Sequence, residues 1–178
     1  MAVPYSRASC EKVGNSGLVS VRFARRTDRS TERGRRVFQG ASQLTLDGKG
    51  RLSMPSRHRD SLAAGCDGRL TLTRHPDGCL LVYPRPTWEA RREQIAQLPY
   101  SARALQRLLL GNATDVDLDS AGRVLVPPEL RGAAQLERDV MLLGMGAHFE
   151  LWDVTRLNEH ERASLADGLP PSAADFTF

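Results

Sequence analysis

Leu44 and Leu46 alternate with Gln43, Thr45 and Asp47, and Leu52 and Met54 alternate with Arg51 and Ser53. This period of two reads as two half-buried strands, with Gly48 and Gly50 supplying the φ freedom of a tight turn between them. Pro55 breaks the second strand, and Pro55-Ser56 opens a short helix towards Ala64-Gly65. Residues 69–73 (RLTLT) and 79–83 (CLLVY) form a hairpin across HPDG at 75–78. There Pro presets φ for the turn and Gly tolerates the reversal. Thr87 is placed to cap a helix in which Trp88, Ile95 and Leu98 share a side. Ser101 opens another helix, ALQRLLL, which Gly111 ends.

The same order then returns. Val116 and Leu118 lead to a turn from Asp119 to Gly122, followed by Val124, Val126, Pro127-Pro128 and a short helix. Residues 139–143 (DVMLL) and 149–152 (FELW) make the second strand pair, and Thr155 is placed to cap a last helix carrying Leu157 and Leu165. Of the ten residues from Leu46 to Pro55, five recur identically as Leu118, Asp119, Gly122, Arg123 and Pro127. The offset is 119 − 47 = 72 at the turns and 152 − 83 = 69 at Tyr83 and Trp152, so the second hairpin has lost about three residues. A lone D-x-x-x-R is weak in an arginine-rich chain. Doubled within a ten-residue pattern, it marks an internal repeat.

Each copy holds about fifty residues, below the size at which one small core is self-sufficient. Two half-barrels sharing one core, related by a pseudo-twofold axis, solve that problem. Thr45, Asp47, Arg51 and Ser53 then face away from Leu44, Leu46, Leu52 and Met54. Asp117, Asp119, Arg123 and Leu125 are the corresponding outward set, so both Asp–Arg pairs sit at hairpin tips facing away from the core. The chain divides into an extension at 1–36, a first repeat at 38–86, a helical linker at 87–112, a second repeat at 113–156, and a C-terminal helix with a flexible tail at 157–178.

Composition adds limits. The 178 residues are 40% hydrophobic and 26% charged, as in a soluble globular protein. No apolar run approaches the ~20 residues that span a bilayer, and the N-terminus lacks the apolar stretch of a secretory signal. Cys10, Cys66 and Cys79 form an odd, unpatterned set, which suits free thiols in a reducing compartment and argues against a zinc site.

The net charge of +4 is unevenly placed. Residues 1–36 carry nine basic groups, Lys12 and eight arginines, against Glu11, Asp28 and Glu32, a net of +6. The remaining 142 residues carry 25 − 9 = 16 basic and 21 − 3 = 18 acidic groups, a net of −2. Nucleic-acid contacts by such a body must be concentrated in a few places. The first 36 residues are poor in large apolar side chains and read as disordered. They are a solvated tail, a phosphate-binding arm, or a segment absent from natural synthesis if translation starts at Val37.

These residues resemble the MraZ family of bacterial transcriptional regulators, built from two SpoVT/AbrB-like swapped-hairpin units. The carriers are FQGAS at 38–42, LDGKGRLSMPSRHR at 46–59, LLVYP at 80–84, LQRLLLG at 105–111, LDSAGRVLVPPELR at 118–131 and FELWD at 149–153. The resemblance implies a β-rich α+β fold, a double-split β-barrel, assembled from the two tandem repeats. It also implies a ring-shaped homo-oligomer that binds double-stranded DNA at direct repeats upstream of its own cell-division and cell-wall gene cluster. Such a regulator is cytoplasmic and nucleoid-associated, with no cofactor, no membrane partner and no small-molecule substrate. The family's D-x-x-x-R motifs, implicated in DNA contact, fall on Asp47 with Arg51 and on Asp119 with Arg123.

Two readings of these pairs compete. The arginines could simply close their turns, and an exposed ion pair of that kind contributes little to stability. Alternatively Asp47 and Asp119, with Gly48, Gly50 and Gly122, organise the turns, and Arg51 and Arg123 reach DNA. Arginine suits this because its planar fork binds guanine O6 and N7 in two bonds, or grips a phosphate. Lys49 is then a phosphate contact, the first loop is the main reader, and Ser120 is a weaker contact. Arg57, His58 and Arg59 read as a solvated helix face; Arg91, Arg92, Arg103 and Arg107 read as solvated or intersubunit groups. Tyr83, Trp88 and Trp152 read as core or interface aromatics, since they are not interleaved with basic residues.

Enzymatic signatures are missing. DGKGR lacks the spacing of a phosphate-cradling loop, the four histidines show no paired metal spacing, and no G-x-S-x-G elbow occurs. The rival to DNA binding is a non-enzymatic protein-interaction or assembly module using the same loops.

Overall fold

The structure, a computed structural model, describes residues 37–166. Residues 1–36 and 167–178 lie outside it, so the reading of the extension and of the terminal tail falls on undescribed residues. The first repeat contributes β1 (Phe38–Thr45), β2 (Arg51–Ser53), α1 (Ser56–Cys66), β3 (Arg69–Arg74) and β4 (Leu80–Pro84). Helices α2 (Arg85–Ala96) and α3 (Arg103–Leu110) follow, joined through a short 3-10 turn at Tyr100–Ala102. Then come β5 (Thr114–Asp117), β6 (Arg123–Leu125), α4 (Pro128–Ala133), β7 (Asp139–Gly146), β8 (Phe149–Asp153) and α5 (Val154–Ala166).

The class is sheet-rich α+β. Six strands form one antiparallel sheet in the order β1-β7-β8-β4-β3-β5, and β2 with β6 forms a separate two-stranded ribbon. The larger sheet is open, ending at β1 and β5. The expected β3–β4 hairpin is present, and its counterpart is β7–β8. The first strand and its successor are not a long hairpin. Leu46 and Leu52 make a single bridge, after which β1 leaves to pair with β7 and β2 leaves to pair with β6.

Strands are therefore exchanged between repeats. β1 lies on β7 and β3 on β5, while β4 lies on β8 and β2 on β6, so all four of these pairings cross from one copy to the other. Backbone bonds next to the turns repeat the symmetry. Leu46 N–H donates to the Arg138 carbonyl at 2.8 Å, and Leu118 N–H donates to the Gly68 carbonyl at 2.9 Å. The exchange follows from size: neither fifty-residue copy can enclose its own apolar face, so each covers the other's. Leu52, Met54, Leu70, Leu72, Val124, Val126, Phe149 and Leu151 meet in one buried cluster drawn from both copies.

Tyr83, Trp88 and Trp152 are all buried, as core aromatics. Tyr83 and Trp88 join Leu81 and Ile95 under α2 and α3. Buried Gln106 of α3 donates to the carbonyls of Ile95, Ala96 and Leu98 at 2.9, 3.3 and 3.1 Å. It satisfies the acceptors that the end of α2 leaves open.

Three helix starts differ from expectation. Ser101 lies inside the 3-10 turn, and α3 begins at Arg103 with Ala102 at its cap position. Helix α2 starts at Arg85, with Pro84 at the cap position, so Thr87 lies inside its first turn. Pro86 fits there because its missing N–H falls where no helical acceptor exists. Leu98 lies beyond the end of α2 and is exposed. At α5 the cap is Asp153, whose Oδ1 accepts from Thr155 N–H at 2.9 Å, and Thr155 is already helical. Leu157 is buried, but Leu165 is 70% exposed, beyond the reach of the sheet.

Candidate nucleic-acid interface

Both Asp–Arg turns share most of their internal wiring, but in the second Asp119 Oδ2 also pairs with Arg123 Nη2 at 2.8 Å. Asp47 Oδ1 accepts from the Lys49 and Arg51 backbone N–H groups, each at 2.9 Å, and its Oδ2 accepts from Arg51 Nε at 2.7 Å. Asp119 Oδ1 accepts from the Ala121 and Arg123 N–H groups at 2.9 and 2.8 Å, and its Oδ2 accepts from Arg123 Nε at 2.8 Å. One short carboxylate thus satisfies two backbone donors and orients one guanidinium, which is why aspartate suits the position. The backbone closes identically, with Gly50 N–H donating to the Asp47 carbonyl and Gly122 N–H to the Asp119 carbonyl, each at 2.8 Å.

Gly50 and Gly122 carry φ of 77° and 72°, the left-handed region that a side chain disfavours. Gly48 does not. Its φ is not in that region and nothing would meet a Cβ there. The expectation that Gly48 supplies φ freedom is corrected: the turn needs one glycine, and exposed Ser120 occupies the equivalent place in the second copy.

The ribbon merges the two turns into one surface. In its register Arg51 faces Leu125, Leu52 faces Val124 and Ser53 faces Arg123. Leu52 and Val124 point into the core at 0% and 1% exposure. Arg51, Ser53, Arg123 and Leu125 therefore share the outer face, with the two arginines as diagonal neighbours. Strand geometry puts such neighbours roughly 7–8 Å apart. Arg51 and Arg123 remain 30% and 36% exposed in their side chains. Asp47 holds only the Nε of Arg51, and among the described residues no acceptor takes its Nη1–Nη2 fork. Lys49 is exposed at the tip of the first turn.

The charges are set by these contacts. The Arg51 backbone amide, then its guanidinium and the Lys49 amide, hold the Asp47 carboxyl down at about 2 against an ordinary 3.8. Asp119 is lowered mainly by the Arg123 guanidinium and then by the Arg123 amide. A carboxylate whose folded pKa lies below its unfolded value adds stability above the unfolded value and loses it as pH falls through the folded one. Carboxyl-resolved NMR titration should accordingly show the first turn intact above pH about 3.8 and released as pH drops through about 2. An Asp47 midpoint at the ordinary value would remove the proposed grip on Arg51.

The cluster at 57–59 is not a solvated helix face. His58 is buried, its ring 4.9 Å from that of Phe149 and 5.8 Å from that of Phe38, and burial followed by the Arg57 charge lowers its pKa. Arg57 Nη2 donates to Ser42 Oγ at 2.6 Å and to the Ala41 carbonyl at 3.0 Å. Arg59 Nε donates to the Met54 carbonyl at 2.6 Å, and Arg131 Nε to the Val126 carbonyl at 3.1 Å. Arg131 is a residue the sequence reasoning passed over. Its signal was present, since 131 − 59 = 72 repeats the offset of the turns. Arg91, Arg92, Arg103 and Arg107 are exposed.

Among the described residues no group of three or more His, Cys, Asp or Glu could hold a metal ion. No described helix is long and apolar enough to cross a membrane.

A family model described as "MraZ protein, putative antitoxin-like" matches residues 37–109 and again 109–167. The chain belongs to the MraZ family. The double match follows the internal repeat, one copy per match. A Bordetella pertussis protein named Transcriptional regulator MraZ is 66% identical over 142 residues, which is 80% of this chain and the whole of that relative. Relatives of the same name from Herminiimonas arsenicoxydans and Burkholderia cenocepacia are 62% and 61% identical over the same shares.

Proposed function

We propose that this MraZ-family chain is a sequence-specific DNA-binding transcriptional regulator that reads duplex DNA with the outer face of its β2–β6 ribbon. The observation that carries the reading is the pairing of β2 with β6, which gathers Arg51 and Arg123, each held by an aspartate, on one exposed face. A two-stranded ribbon has the width of the major groove, where arginine forks distinguish guanine. Lys49 adds a phosphate contact beside Arg51, and Ser120 a weaker one beside Arg123. Relatives named as transcriptional regulators support the same reading.

The ribbon joins the two ends of the open sheet, since β1 runs into β2 and β5 runs into β6. On this basis the ribbon completes a double-split barrel. A body with a net charge of −2 offers few cations per subunit, so tight binding needs several copies. A homo-oligomeric ring repeats the ribbon along one rim, and neighbouring copies engage successive direct repeats at high effective concentration. The targets are the repeats upstream of the chain's own division and cell-wall gene cluster, which places the protein in the cytoplasm at the nucleoid.

Leu125, 50% exposed on the same face, favours one second reading: a protein partner seated on the ribbon. Mobility shifts across a salt series separate the two. DNA binding should weaken with a slope of about −0.9 in log K per phosphate neutralised. Absence of binding to the upstream duplex at low salt would sink the DNA reading and leave the assembly module.

A further inference from the structure

We propose that Arg59 and Arg131 are positioning residues, each clamping the DNA-reading turn of the opposite repeat: Arg131 holds the turn of Arg51, and Arg59 that of Arg123. This deepens the DNA-binding reading above and rests on it. The geometry is close and doubled. A methyl group at Gly50 would lie 2.5 Å from Arg131 Cζ, 2.6 Å from its Nε and 2.8 Å from its Nη1. One at Gly122 would lie 2.6 Å from Arg59 Nε and 2.8 Å from its Cδ and Cζ. Each guanidinium therefore lies directly against a glycine Cα, where a Cβ would have to displace it.

Each clamp is anchored at both ends. Arg131 Nε donates to the Val126 carbonyl, and Val126 N–H donates in turn to the Gly50 carbonyl at 3.0 Å. Arg59 Nε donates to the Met54 carbonyl, and Met54 N–H donates to the Gly122 carbonyl at 2.9 Å. Gly50 and Gly122 hold their turns in the left-handed region, and glycine there has no side chain to restrict it. A planar group pressed on the Cα from the other repeat supplies that restriction. Each turn then presents its arginine in one orientation.

The test uses the full chain and begins without DNA. Carboxyl NMR titrations compare wild type with Arg131→Met, Arg59→Met and Arg131→Lys. Arg131→Met should raise the Asp47 midpoint from about 2 towards 3.8 and leave Asp119 unmoved. Arg59→Met should do the converse. Movement of the carboxylate in the variant's own repeat, or of neither, overturns the proposal. Arg131→Lys keeps the charge without the plane and should shift Asp47 in the same direction. Full wild-type behaviour in that variant overturns the proposal, because charge alone then suffices. It also supplies the readout if Arg131→Met does not fold.

The second arm measures affinity for the upstream duplex. Arg131→Met combined with Arg51→Ala should show a coupling of about fivefold or more, whereas Arg131→Met combined with Arg123→Ala should be additive within about twofold. The salt slope should be unchanged in Arg131→Met. A decrease of about one makes Arg131 itself a phosphate contact and overturns the positioning role. If the carboxylates shift across repeats while neither Arg51→Ala nor Arg131→Met alters DNA binding, the clamp stands and the DNA reading falls.

Discussion

Arg51→Ala should bind the duplex immediately upstream of the chain's own gene about tenfold to a hundredfold more weakly than wild type. On a scrambled duplex the loss should be several times smaller. The size follows from what the arginine offers: a two-bond fork on one guanine is worth about 1–3 kcal/mol of discrimination. The asymmetry follows from its mounting. Asp47 holds Nε at 2.7 Å, so the outer fork is presented in a fixed direction. Lys49 has no such mounting, and Lys49→Ala should weaken both duplexes alike and lower the salt slope by about one. Anisotropy titrations on the two duplexes measure both effects. An equal loss on both for Arg51→Ala would reassign that residue to the phosphates.

Leu52→Ala should destabilise the protein by about 2–5 kcal/mol, a large part of the ~5–15 kcal/mol that holds a typical domain together. Leu52 is 0% exposed and faces Val124 at the centre of the ribbon, so its removal leaves a hole where the two repeats meet. Leu52 and Val124 touch one shared core, and the double variant Leu52→Ala/Val124→Ala should depart from additivity. Urea unfolding provides the numbers, with Leu125→Ser on the exposed face as a control expected within about 0.5 kcal/mol. A loss below about 1 kcal/mol for Leu52→Ala would mean that the ribbon is not integral to the core. Because Arg51 flanks Leu52 and Arg123 flanks Val124, the same change should weaken both arginine mounts at once.

Much of the local structure was legible along the chain. Alternating positions at Leu46, Leu52, Val124 and Val126 marked the inward face, and all four are buried, with Leu44, Val116 and Leu118 partly buried beside them. The outward placing of Asp47, Arg51, Asp119 and Arg123 came from the same alternation. Helix starts were less legible. Thr87 and Thr155 are good capping residues, but Pro84 and Asp153 precede them and begin the helices two to three residues earlier. Strand β1 is longer than its pattern suggested, reaching back to Phe38. Its early residues are largely exposed and show no clean alternation; what makes them a strand is β7, about a hundred positions away.

The basic triplet at 57–59 shows why residue type alone misleads. His58 is drawn into the core between aromatic rings, and Arg57 is spent on the β1 backbone. Arg59 serves a carbonyl next to the opposite turn. No local spacing distinguishes these fates, because each depends on tertiary packing: Arg57 meets β1 about fifteen positions back, and His58 meets Phe149 of the other repeat.

By itself the sequence determined that there are two copies of one unit, which faces of their strands turn inward, and that each turn pairs an aspartate with an arginine four residues on. Those features depend on alternation, on the φ that glycine tolerates, and on the reach of a short carboxylate, all confined to a few neighbouring residues. Only the tertiary structure decided that β2 pairs with β6, that Arg51 and Arg123 share one face, and that Arg59 and Arg131 press on each other's glycines. Partner choice between distant strands is set by how two half-sized apolar faces cover one another, and no window of adjacent residues carries that information.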